Sequence, residues 1–160
     1  MDQTMTYVKI MKESLIRKKK YLEEILHCTR EQEELAHQKS FDEEAFGSLI
    51  DRKEVLINNV NEIDKGFTSV YDRVRGEVLA DKDKYHDELV EMQKLIKECV
   101  DMGLNIETLE ERNRATLEQI FSSGLKNLRQ VKQSKKIANK YYQSMSNGGV
   151  NDTVFYDKKK

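Results

Sequence analysis

Proline and tryptophan are absent from this chain of 160 residues, and only seven residues are glycine. With no proline, no fixed φ is available to stop or kink a helix, so any break between helices must be soft. Cysteine is nearly absent too. Cys28 and Cys99 lie far apart, each inside a helical pattern, which fits two buried free thiols in a reducing compartment better than a disulfide framework. No apolar run approaches the ~20 residues of a membrane span, and the first residues lack the short apolar core of a signal peptide. Net charge is also small: formally −1, with a pI near 6.3. No global field therefore directs the chain to nucleic acid or to a membrane surface. These absences point to a cytoplasmic protein with no membrane span.

What is abundant is charge, at 36% of residues, together with leucine, glutamate, lysine and glutamine in the proportions of long helices or coiled coils. Phe46, Leu49, Lys53, Leu56, Val60, Ile63, Phe67, Val70 and Val74 alternate in steps of three and four. That is a heptad seam, a narrow apolar stripe along one helix. Lys53 is its single polar member, and the expected arrangement lays its aliphatic stem over the seam with the ammonium in water. A stripe worth roughly 1.5–3 kcal/mol per large side chain fully buried requires partner helices.

The chain supplies them. A first helix is expected from a Thr4 or Thr6 cap to about Gln38, with Val8, Met11, Leu15, Leu22, Ile25 and Ala36 as its seam, interrupted by Lys18, Thr29 and Gln32. Arg17 to Lys20 reads as a solvated basic face. Ser40 and Glu43 fit a capping box for the second helix, and so short a connection folds it back as an antiparallel hairpin near 50 Å long. Arg75-Gly76 and Asp81 to Lys84 mark a soft turn. A third pattern runs from about Lys84 to Ser146, with Gly103 its weak point and Asn113 on a seam position where the stripe drifts. The expected fold is all-α: an antiparallel α-hairpin plus one long C-terminal helix, continuous or broken at Gly103, as an elongated bundle or coiled coil of three to four helices. The chain divides into a core bundle at 1–118, an amphipathic basic helix at 119–147 and a flexible tail at 148–160.

Length and charge single out the second of these. An unbroken third helix would span roughly 90 Å against the hairpin's 50 Å, leaving its C-terminal half with an apolar stripe and no partner in its own chain. From Gln119 to Asn151 there is no acid, while Lys126, Arg129, Lys132, Lys135, Lys136 and Lys140 accumulate. The dipole of one long helix is one explanation of this bias; a basic and apolar binding face is the other, since the acid-free length is longer than one helical turn needs. The candidate partner-binding residues are Ile120, Leu125, Leu128, Val131, Lys132, Lys136, Ala138, Tyr142 and Met145. No catalytic, metal or cofactor site is legible. His27, His37 and His86 lack metal-ligand spacing, and no HExxH, CxxC or glycine-rich phosphate loop occurs. The lysine stripe beside Tyr141-Tyr142 has no nucleic-acid module around it.

Three stretches resemble the FlgN-type chaperones of flagellar type III export. They are Leu49-x-x-x-Lys53-x-x-Leu56-Ile57, then Leu109-Glu110-x-x-Asn113-x-x-x-Leu117, then Ala138-Asn139-Lys140-Tyr141-Tyr142-x-x-Met145 followed by Phe155-Tyr156-Asp157-Lys158-Lys159. In that family the second stretch corresponds to the turn from hairpin into C-terminal helix. The resemblance implies a substrate-specific chaperone that binds hook–filament junction proteins through its C-terminal amphipathic helix, keeps them from associating early, and can contact the export apparatus. A reading that needs no family is a structural spacer, homodimeric through the same stripe.

Overall fold

The computed structural model describes residues 2–124. They form three helices of similar length, α1 (Gln3–Ala36), α2 (Glu43–Ala80) and α3 (His86–Gly124), with no strand among the described residues. The all-α expectation holds. Two short connections make α2 antiparallel to α1 and α3 parallel to it. Ion pairs record the alignment: Lys18 meets Asp64 at 2.8 Å and Arg52 meets Glu24 at 2.8 Å across α1 and α2. Lys19 meets Glu98 at 2.6 Å and Arg112 meets Glu33 at 2.9 Å across α1 and α3. α1 is the inner partner of both neighbours, while the α2 and α3 backbones stay farther apart and are joined by side chains.

The seams are buried as their periodicity requires. Val8, Met11, Leu15, Phe67, Val74, Val78, Tyr85, Met92 and Ile96 fill the end nearest the α2–α3 turn. Leu22, Ile25, Cys28, Leu56, Val60 and Cys99 form the middle, and Phe46, Ile50 and Leu117 the far end. Both cysteines are free and buried. The pairs Lys19–Glu98 and Arg112–Glu33 share an offset of 79 residues, so Cys99 lies level with Lys20, about two turns or ~12 Å along the bundle from Cys28. A disulfide between them would need a different alignment.

Helix ends differ from the sequence reading in ways that packing explains. α1 is capped by Asp2, whose carboxylate accepts from the Thr4 amide at 3.0 Å, and not by Thr4 or Thr6. Asp2 also meets Lys84 at 2.8 Å and the Tyr85 hydroxyl at 3.3 Å, tying the start of α1 to the turn before α3. Thr4 instead sends its hydroxyl to Glu77 of α2. The second helix is capped by Asp42, accepting from Ala45 at 3.0 Å, and not by Ser40. Phe41 just before that cap packs on Phe46 in the first turn, ring centroids 5.4 Å apart, a hydrophobic staple that fixes where the helix starts. α1 stops at Ala36, two residues short of expectation. α2 continues through Arg75-Gly76 to Ala80, because Val74 and Val78 remain buried against α1 and α3. α3 begins at His86 and passes unbroken through Gly103. It is also unbroken across the 118/119 boundary, and across Leu109–Leu117, where the resemblance places a turn. No helix among the described residues is long and apolar enough to cross a membrane.

Candidate functional site

The feature that the apolar pattern does not account for is a polar layer inside the bundle. Thr29 and Gln32 of α1, Lys53 of α2, and Glu110 and Asn113 of α3 are all buried, four of them to 1% exposure or less. Heptad spacing puts them there: each occupies a position that its own helix turns toward the other two. The Lys53 ammonium donates to the Glu110 carboxylate and lies 3.4 Å from Thr29 Oγ1. Thr29 donates to the Ile25 carbonyl at 2.7 Å, within its own helix. Asn113 Nδ2 donates to the Thr29 carbonyl at 3.1 Å. That oxygen lies in α1, so the bond stitches α3 to its partner's main chain.

Lys53 corrects the sequence reading. Its ammonium is not in water: the side chain is 1% exposed, because the neighbouring helices close over the seam and Glu110 gives the charge a partner. Burial pushes the Lys53 amine below its ordinary range and the Glu110 carboxyl above its own, and mutual attraction opposes both shifts. Satisfaction is incomplete. Neither polar atom of the Gln32 amide, nor Asn113 Oδ1, finds a hydrogen-bond partner among the described residues. A second buried pair, Lys18–Asp64, lies three turns away, beside a void of about 10 Å³ lined by Leu15, Phe67, Ile96, Cys99 and Val100. That is room for a single water. No cluster of three potential metal ligands occurs among the described residues.

Of the partner-binding candidates, only Ile120 lies within the described residues. It is half-buried and, with Phe121, packs on the Phe46–Ile50–Leu117 cluster, so part of its apolar surface serves the bundle itself. Leu125, Leu128, Val131, Lys132, Lys136, Ala138, Tyr142 and Met145 lie outside the described residues. Sequence reasoning located Thr29, Gln32, Lys53 and Asn113 as separate interruptions of three seams, without the inference that they meet. The available signal was that polar residues on seam positions of different helices must find one another or remain unpaired in the dry interior. Compared with family models, curated proteins and solved structures, the chain matches none.

Proposed function

We propose that this protein is a partner-binding helical chaperone of the FlgN type. It would hold hook–filament junction proteins in the cytoplasm before flagellar export, through Ile120 and the apolar and basic positions from Leu125 to Met145. The observation that carries this reading is an imbalance of apolar surface. Within residues 2–124 the three helices cover one another's seams, ending with Leu117 and Phe121 against Phe46 and Phe41. The apolar periodicity of the sequence continues beyond, through Leu125, Leu128, Val131, Tyr142 and Met145, in a run without acid from Gln119 to Asn151. A stripe of that kind completes a bundle with a client helix by laying its apolar face into a groove. Resemblance adds specificity to the reading, since its first two stretches, around Lys53 and Glu110, are the segments that face each other across the bundle.

Size exclusion with light scattering tests the proposal on the full chain and on a version ending at Gly124. That end point keeps Ile120 and Phe121, which pack on the far cluster. Each is run alone and with the hook–filament junction proteins of the same organism. The expected result is a defined complex with the full chain and none with the shorter one, both equally helical. A full-length homodimer that ignores those proteins, beside a monomeric short form, would replace the chaperone by a homodimeric spacer.

A further inference from the structure

The apolar pattern leaves the register of this bundle underdetermined. Along α2, Phe46, Lys53, Val60, Phe67 and Val74 recur every seven residues, so sliding the helix by one heptad exchanges one apolar residue for another along this row except at Lys53; on the adjoining row Asp64 is the exception, and its pair with Lys18 ties α2 to α1 and not to α3. Along α3, Met92, Cys99, Ile106 and Asn113 recur in the same way, continuing the row of Tyr85 in the turn before it, and so do Leu89, Ile96, Gly103, Glu110 and Leu117. The chain between α2 and α3 does not fix the turn by local geometry either. It contains no proline, no cis peptide and no residue with positive φ, and α2 already runs through Gly76 without a break. A turn that can move permits a slip.

We propose that the layer of Thr29, Gln32, Lys53, Glu110 and Asn113 is a register key that holds α3 in one alignment against α1 and α2 at some cost in stability. A one-heptad slip of α3 puts Gly103 or Leu117 opposite Lys53 and leaves its charge in the dry interior without a carboxylate. The same slip moves Asn113 away from the Thr29 carbonyl, the bond that ties α3 to the α1 backbone. Apolar layers bracket the key on both sides, Ile25, Cys28 and Leu56 on one and Phe46, Ile50 and Leu117 on the other, so a misplaced charge finds no second partner nearby. The incompletely bonded Gln32 and Asn113 amides are the cost side, as for buried polar groups that specify alignment in coiled coils.

The test removes the key and reads alignment directly. Spin labels are placed at the exposed positions Lys20 and Lys97 in the full chain, with Cys28 and Cys99 replaced by alanine, and pulsed-EPR distances are compared with and without Lys53→Met, Glu110→Leu and Asn113→Leu together. The keyed protein gives one narrow distance. The keyless triple variant stays helical, with a urea midpoint no lower than its parent's. Its distance distribution broadens or gains a second population, consistent with displacement of about 10 Å along the axis, seven residues at 1.5 Å. A folded triple variant with the same single narrow distance overturns the proposal. So does a triple variant that loses its helicity, since the layer would then be a source of stability.

Discussion

Replacing Glu110 by leucine removes the carboxylate from a buried ammonium with almost no change in side-chain size. Lys53 remains at 1% exposure, with Thr29 Oγ1 at 3.4 Å and an apolar neighbour where its counter-ion was. Breaking a buried pair from one side costs roughly 3–5 kcal/mol, because the surviving charge keeps its desolvation penalty. For about 120 structured residues, unfolding entropy near 60 °C is roughly 250 cal/mol/K, so the loss corresponds to a Tm lower by about 12–20 °C. The deficit also depends on pH. Without Glu110 the Lys53 amine is pushed further below its ordinary range, so between its folded and unfolded values the unfolded chain binds the extra proton. Stability then rises with pH, and the deficit shrinks as pH climbs toward the ordinary lysine range. Adding Lys53→Met to Glu110→Leu removes the stranded charge and returns stability to within about 1 kcal/mol of the parent or above it. Urea titration followed by circular dichroism at 222 nm closes this double-mutant cycle. A Glu110→Leu loss below about 1 kcal/mol, or a double variant whose losses simply add, would refute a dry and mutually dependent pair.

Two further outcomes are expected. Gly66 lies inside α2 with nothing within 4 Å of where a Cβ would stand, so Gly66→Ala raises stability by about 0.5–1 kcal/mol, a Tm gain of roughly 2–4 °C read by differential scanning calorimetry; no gain would mean that the helix is frayed there. Lys84 holds the Asp2 carboxyl, and Lys19 the Glu98 carboxyl, below the ordinary carboxylate range, so their contributions are present above that range and lost as pH falls through the lowered values, in a window that opens below about pH 4. Glu98→Gln flattens the decline of Tm over that window, and an unchanged slope would remove the Lys19–Glu98 pair from the acid response.

Periodicity made the fold legible because packing obeyed it. The α2 seam from Phe46 to Val74 is buried nearly as its three-and-four spacing requires, with Leu49 and Val70 only half-covered. The ends of the elements were less legible, since several residues compete for each cap and tertiary contacts decide between them. Ser40 and Asp42 both precede acidic residues, yet Asp42 caps because Phe41 is fastened to Phe46. Of the two marks of the soft turn, Asp81 to Lys84 falls in the turn at residues 81–85 and Arg75-Gly76 stays helical, because Val78 gains more from the core than a glycine costs inside a helix. The polar layer was visible as four interruptions and missed as a unit, because a one-dimensional pattern gives the face of each residue but not its height along the bundle. Glu110 gave no signal of its own: it follows Leu109 in a chain dense with acids, and only the alignment of α2 with α3 sets it apart from the solvated ones.

That alignment connects the buried layer to the proposed function. Glu110 and Asn113 lie in the C-terminal half of α3, toward the end from which the chain continues past Gly124 into its acid-free apolar run. A one-heptad slip would carry that exit point about 10 Å along α1 and α2. It would also draw Leu117 away from Phe46 and Ile50, the cluster on which Ile120 and Phe121 pack. A chaperone whose client-binding stripe begins there needs the Leu117–Gly124 stretch held at one height, because a groove shared by bundle and client has to match the client's own heptad spacing. Apolar packing would tolerate either height; a lysine, a carboxylate and an amide in the interior tolerate one. Incomplete hydrogen bonding in the layer is therefore compatible with its role, since what it contributes is the difference between alignments and not the stability of any one of them.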